Sequence, residues 1–198
     1  MAIAGVDEVG RGALFGCVVA AAVFIEPEHL TALTQLGVTD SKRLSPKRRE
    51  SLVPQIQTLS LEVYVGVATV AEIEQWNILE ASLRAMERAI AQCASLPEHC
   101  YIDGNQPLRF RELPPLPQTT IIAGDRLHPA IAAASIVAKV WRDRHISVLA
   151  TQFPQYDLAN NKGYGTAKHR AAIAQYGLTP HHRRTWNLCS PLLPHLGH

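Results

Sequence analysis

Three short apolar runs in this chain each arrive at an aspartate beside a glycine or a glycine-rich turn. Ala2 to Glu8 carries Asp7, His99 to Ile102 leads to Asp103, and Thr119 to Ala123 leads to Gly124-Asp125. Short runs of this kind, rich in apolar and β-branched residues and bounded by turn residues, read as strands. If they are parallel neighbours in an open α/β sheet, their carboxyl ends share one edge, and ligands gather at that edge. The order of elements along the chain (two strands, helix, strand, helix, two strands, then helices) describes an α/β domain with a mixed sheet.

The remaining pattern agrees. Gly10 to Gly16 reads as a turn, and Cys17 to Ile25 as a second strand, apolar on both faces. Ser45-Pro46-Lys47 opens a helix running to Leu59, with Ser45 as cap, Pro46 in the first turn and Pro54 as a kink. Leu61 to Val70 alternates and reads as a strand. Ile73, Trp76, Leu79, Leu83, Met86 and Ile90 recur at helical spacing and predict one amphipathic helix with Trp76 and Met86 in the core. Gly104 to Gln118 is proline-rich and irregular. Pro129 starts a long alanine-rich helix to Thr151, and Thr166 to Tyr176 is a short helix closed by Gly177. No composition shift marks a second domain. The expectation is one domain over residues 1–198, with a core over 1–150 and a C-terminal helical extension over 151–198.

With 198 residues and 47% apolar content, the chain can fill one sizeable core. Its net charge of +2 neither demands nor excludes a nucleic-acid partner, so the local basic groups carry the argument. They are Lys42-Arg43, Lys47-Arg48-Arg49, Lys139 with Arg142 and Arg144, and Arg183-Arg184. Cys17, Cys93, Cys100 and Cys189 form no CxxC pair and read as small apolar residues in a reducing compartment. No apolar stretch is long enough to span a bilayer and no leader precedes the first strand, so a cytoplasmic location without a membrane partner is expected.

The acids are the candidate chemistry. Asp7, Glu8, Asp103 and Asp125 offer only carboxylate oxygens, which suits Mg²⁺ or Mn²⁺ better than Zn²⁺. Acids at strand ends are also ordinary turn residues, but several converging carboxylates repel unless a cation neutralises them. Asp7 and Glu8 pose a problem of direction, because adjacent strand residues point to opposite faces. Both can serve one site if the strand breaks there, and Gly10 and Gly12 make a break plausible.

These residues, with others along the chain, carry a resemblance. AGVDEVGRG (Ala4 to Gly12), Asp40-Ser41-Lys42, Asn77-Ile78-Leu79, Ile102-Asp103-Gly104-Asn105, Gly124-Asp125, AAASIVAKVWRDR (Ala132 to Arg144), FPQYDLANNKGYGTAKH (Phe153 to His169) and HHRR (His181 to Arg184) resemble bacterial ribonuclease HII, in order and over nearly the whole chain. The resemblance implies a ribonuclease H-like fold with a C-terminal helical extension. It implies hydrolysis of RNA in RNA–DNA hybrids and nicking of duplex DNA 5′ to a single embedded ribonucleotide, by two-metal-ion chemistry that leaves 3′-OH and 5′-phosphate ends. It also implies Asp7, Glu8, Asp103 and Asp125 as catalytic metal ligands, the segment Gly10, Arg11 and Gly12 at the ribonucleotide's 2′-OH, and Tyr164 stacked on the neighbouring sugar. The chain departs from the family in Leu14-Phe15, where relatives carry proline and small residues, and in Gly165, where many carry proline. The first departure is expected to alter turn packing without touching the acids, and the second to loosen the loop of Tyr164.

Other contacts are expected with phosphates. Ser135, Lys139 and Arg142 fall on one helical stripe, which is either a track for a nucleic-acid backbone or a solvated basic face. Ser41, Lys42 and Arg43 follow a turn signal, and Arg183 and Arg184 are further candidates. Such contacts position a duplex without reading its sequence, so binding should be salt-sensitive. His181, His182, His195 and His198 match no zinc pattern and read as surface or tail residues. His169 lies close to Tyr164, and Trp141 and Trp186 are expected to pack the C-terminal helices on the sheet. Two other functions compete: a metal-independent ribonuclease using histidines, and a non-catalytic hybrid-binding module of the same fold. No obligate protein partner is evident, and a monomer is expected.

Overall fold

The computed structural model describes residues 2–184. Cys189, Trp186, His195, His198 and the tail from Pro191 lie outside the described residues. Five strands, β1 (Ile3–Val9), β2 (Val18–Ile25), β3 (Glu62–Ala68), β4 (His99–Asp103) and β5 (Gln118–Ile121), form one sheet in the order β3-β2-β1-β4-β5. β1 runs antiparallel to β2 and parallel to β4, and β4 is parallel to β5. The strands carrying Asp7 and Asp103 are therefore parallel neighbours, in a mixed sheet.

Helices cover both faces. The long helix α6 (Pro129–Gln152) lies on one side with α1 (Leu30–Gln35) and α2 (Pro46–Leu59). On the other side lie α3 (Val70–Trp76) and α4 (Ile78–Ile90). The period-two alternation of β2 explains why every residue in it is buried. Val19, Ala21, Val23 and Ile25 face α6, while Val18, Ala20, Ala22 and Phe24 face α4. Helix α6 and the sheet touch backbone to backbone at Gly5, where an added Cβ would lie 2.2 Å from the Ala130 carbonyl carbon. Glycine is required there because the helix backbone already occupies the place of a side chain.

Beyond α6, the helices α7 (Leu158–Asn161) and α8 (Ala167–Tyr176) close a third apolar cluster. Its centre is Leu14 and Phe15, both fully buried. These bulky residues seat the C-terminal segment on the first turn. A Cβ on residue 165 would meet Leu14 Cδ1 at 2.9 Å, so the small Gly165 and the large Leu14 fit one another. The anticipated loosening of that loop is offset by the leucine filling the space.

Several details differ from the sequence reading. The single amphipathic helix over Ile73 to Ile90 is two helices, because Asn77 adopts φ 69° and its side chain caps α4 by accepting from the Leu79 and Glu80 amides at 3.0 and 3.1 Å. α2 continues through Pro54. Trp141 is not buried between helix and sheet: it is 37% exposed, stacks on His145 and lines a surface groove with Val63 and Val65 of β3. Trp76 is half-buried beneath the Arg84 guanidinium, 3.7 Å from its ring centroid. The short helix α1 carries too little periodic signal to be read from its six residues.

Candidate active site

The carboxyl edge of β1 and β4 opens onto a cleft of 670 Å³ lined by Asp7, Glu8, Gly10, Arg11, Gly12, Ser41, Lys42, Asp103, Asp125, Ser135, Lys139 and Tyr164. β1 does not break at Asp7 and Glu8. It stays paired with β2 as far as Val9↔Val19, whereas its pairing with β4 ends at Val6↔Ile102. The two acids thus sit where β1 has lost its neighbour on one side. There the Glu8 amide donates to Asp7 Oδ1 at 2.7 Å. An open edge removes the obstacle that opposite side-chain directions had posed: carboxylate oxygens of Asp7, Glu8 and Asp103 lie within 4.8 Å of one another.

Asp125 arrives differently. β5 ends at Ile121, and Ala123 takes a left-handed conformation (φ 55°, ψ 40°) that turns the chain into the one-turn helix α5 (Gly124–Leu127). Asp125 is in this turn and not directly at a strand end. The turn is tied to β4 by the Gly124 amide, which donates to Asp103 Oδ1 at 2.7 Å. Ala123 is an alanine in a region costing of order 1 kcal/mol or more, and the strained residue lines the cleft.

The electrostatics of the acids are adverse without a counter-charge. Burial, then the charges of Glu8 and Asp103, push the Asp7 carboxyl well above its ordinary range, against the opposing hydrogen bonds of the Ser135 hydroxyl and the Glu8 amide. Burial likewise raises Glu8, although Arg11 Nη1 donates to Glu8 Oε1 at 3.1 Å and opposes the shift. Burial raises Asp125, with Lys42 Nζ 3.8 Å from its Oδ2 pulling the other way. Clustered carboxylates, all oxygen donors and short of positive charge, fit a hard divalent cation.

The remaining residues divide. The Ser41 and Ser135 hydroxyls face one another at 2.9 Å, joining the turn that follows Asp40 to α6 beneath Asp7. Lys42 is exposed at the rim, and Lys139 donates to Asp143 at 2.8 Å with its ammonium 5.4 Å from the Tyr164 ring centroid. Arg142 is not on a phosphate-facing stripe. It is fully buried, and its guanidinium donates to the carbonyls of Cys17, Lys162 and Phe15 at 3.1, 2.9 and 2.9 Å. Arg183 is buried too, donating to the carbonyls of Gly16, Arg11 and Cys17 at 2.9, 2.8 and 3.2 Å. Both hold the glycine-rich segment in shape from behind. Nor is His182 a surface residue: it is fully buried against Phe15, Tyr156 and His169.

Asp40 was not singled out as a site residue, yet it organises the rim. Its Oδ1 accepts the Lys42 amide at 2.9 Å and its Oδ2 accepts Arg126 Nε at 3.1 Å. Burial opposes its ionisation, but these partners hold its carboxyl below the usual value. An aspartate three residues before basic Arg43 was the available signal, as a cap of the turn over Ser41–Arg43.

A mixed sheet that delivers acids from adjacent parallel strands to an open edge, with helices on both faces, is the ribonuclease H-like architecture. The family model for ribonuclease HII matches residues 4–189. The chain is 53% identical to ribonuclease HII of Acaryochloris marina, over 97% of this chain and 96% of that protein. It is 52% identical to the Trichodesmium erythraeum protein of the same name, over 96% and 89%. Its fold matches the crystal structure of ribonuclease H2 from Pyrococcus horikoshii with a TM-score of 0.81, at 30% identity and 97% coverage of both chains. This chain belongs to the ribonuclease HII family.

Proposed function

We propose that the chain is an endoribonuclease that cleaves RNA in RNA–DNA hybrids and nicks duplex DNA 5′ to single ribonucleotides, acting in ribonucleotide removal from DNA. The observation that carries this is the meeting of the Asp7, Glu8 and Asp103 carboxylates in a cleft that Gly12 and Tyr164 also line. Asp7, Glu8, Asp103 and Asp125 would hold two divalent cations, Mg²⁺ or Mn²⁺. Bound there, such cations would supply positive charge for activating a water and stabilising the leaving 3′-oxygen, with 3′-OH and 5′-phosphate ends as products.

The chain's own residues do the selecting. A Cβ on Gly12 would meet no atom of the described residues within 4 Å, which leaves its backbone open to close approach by a ligand. We assign the 2′-OH contact to the backbone of Gly10, Arg11 and Gly12, because a backbone group built for a hydroxyl is left unpaired opposite deoxyribose. Tyr164 supplies a flat face for the neighbouring sugar, and Lys42 and Lys139 attract phosphates, with Ser41 and Ser135 beside them. No helix among the described residues is long and apolar enough to cross a membrane, and the reading is of a cytoplasmic monomer.

The test is a labelled DNA duplex containing one ribonucleotide, incubated with Mg²⁺, with Mn²⁺ and with chelator. Cation-dependent cleavage 5′ to the ribonucleotide is the expected result. A cyclic-phosphate end surviving chelation, or binding without cleavage, would overturn it.

A further inference from the structure

Behind Tyr164 lies a chain of hydrogen bonds whose protons can be placed from geometry alone. The Thr179 amide donates to His182 Nδ1 at 2.9 Å, so that nitrogen must offer a lone pair. Neutral His182 then carries its hydrogen on Nε2, which faces His169 Nε2 at 3.2 Å. At the other end, His169 Nδ1 lies 2.9 Å from the Tyr164 carbonyl oxygen, which can only accept. Neutral His169 therefore carries its hydrogen on Nδ1 and presents a lone pair on Nε2. The two ends are independent, and they fix the same arrangement: one proton per ring, all pointing toward Tyr164.

A second proton has no place in this arrangement. On His169 it would face the Nε2–H of His182; on His182 it would face the Thr179 N–H, and the Thr179 hydroxyl, 3.0 Å from Nδ1 and already accepting the His181 amide at 3.3 Å, would have to turn its own hydrogen away. Both rings are fully buried, with Phe15 edge-on to His182 at 5.0 Å and the Tyr156 ring 4.8 Å away. Burial lowers the His169 pKa, with Arg170 acting the same way and the Tyr164 carbonyl and Asp157 opposing. Burial, His169 and His181 bring His182 down to about 4. Tyr164 is otherwise fixed by its own amide on the Asn161 carbonyl at 3.0 Å and by the Thr166 amide on its carbonyl at 2.9 Å.

We propose that His169 and His182 are positioning residues: their proton-locked relay fixes the Tyr164 backbone and so sets the preference for a ribonucleotide–deoxyribonucleotide junction over a continuous RNA tract. This rests on the reading of Tyr164 as the junction contact. Neither imidazole touches substrate, and the carboxylate chemistry is common to both substrates, so the effect falls on the ratio of rates.

The experiment measures cleavage of a single-ribonucleotide duplex and of an RNA-tract hybrid by wild type, H169A, H169N and Y164A, across neutral to acidic pH, with ¹⁵N NMR of the histidine rings. His169→Ala should lower the junction-to-tract ratio by about tenfold, the scale of one lost hydrogen bond. His169→Asn, whose amide can still donate to the Tyr164 carbonyl, should restore most of it. The wild-type ratio should fall on acidification, and NMR at neutral pH should find His169 protonated on Nδ1 and His182 on Nε2. If Y164A lowers the ratio while H169A does not, or if H169N is no better than H169A, the relay has no positioning role. If Y164A leaves the ratio unchanged, the reading of Tyr164 fails and this proposal with it. A charged ring or the opposite tautomers at neutral pH would overturn the relay whatever Y164A does, and that readout needs no variant to fold.

Discussion

The two walls of the cleft handle charge in opposite ways. On one, Asp7, Glu8 and Asp103 crowd together, half-deprived of water, with Arg11 on Glu8 as a partial counter-charge. Behind the other, the glycine-rich wall, Arg142 and Arg183 are more deeply buried than any of the acids, yet each donates to three backbone carbonyls. The acids are left wanting a partner that comes from outside. The arginines have all the acceptors they need from the fold. A buried charge with its hydrogen bonds made is scaffold, and a buried cluster without them is a binding site.

The sharpest way to break this contrast is to neutralise one acid. Asp7→Asn should reduce turnover by at least about 10³-fold, the upper scale for losing a group that stabilises transition-state charge. Its melting temperature in chelator should match or exceed that of wild type, because a repulsive buried charge is gone. Divalent cation should raise the wild-type melting temperature and barely move the mutant's. An active Asp7→Asn enzyme, or one that melts far below wild type in chelator, would remove the distinction between the walls.

The converse substitution is Arg183→Met. It should cost about 3–5 kcal/mol of stability in urea melts, since the carbonyls of Arg11, Gly16 and Cys17 lose a buried donor. Residual activity should retain its cation dependence. A neutral effect on stability would mean that the guanidinium is not scaffold.

Glu72 gives a carboxylate of the satisfied kind. Hydrogen bonds from Arg88, then those of Thr69, bring its pKa down to about 2 despite partial burial. A depressed pKa gives stability that is present above the unfolded value and lost as pH falls through the folded one. The window here runs from 4.5 down to about 2. Glu72→Gln should cost about 1–2 kcal/mol at neutral pH, as a capping box and an ion pair weaken together, and should flatten the acid limb of the stability curve. The smallest effect is expected from Lys42→Ala at the exposed rim. It should weaken substrate binding modestly and reduce the slope of log affinity against log salt by about one, with activity at saturation little changed.

Asp7 and Asp103 were legible because their strands are apolar runs that stop at acids, a pattern that depends on local composition alone. Asp125 was legible as an acid near a strand but not in its true position, since nothing in Ile-Ile-Ala-Gly announces a left-handed alanine. Arg142 was misread for a different reason. Stripe logic assumes that one side of a helix faces water, and α6 buries residues around most of its circumference, wedged between the sheet and the C-terminal segment. The Ser41–Ser135 contact, the His169–His182 pair and the cap by Asp40 join residues distant in sequence or depend on side-chain direction, which periodicity does not carry.

The contact at Gly5 has a reach beyond its own location. Gly5 and Asp7 occupy the same side of β1, one pleat apart, and Ala130 begins the helix that presents Ser135 to Asp7. With two main chains touching, nothing compressible stands between strand and helix to absorb an error in their spacing. A single methyl at this seam would act as a shim, lifting Ser135 off Asp7 while every residue of the cleft kept its identity.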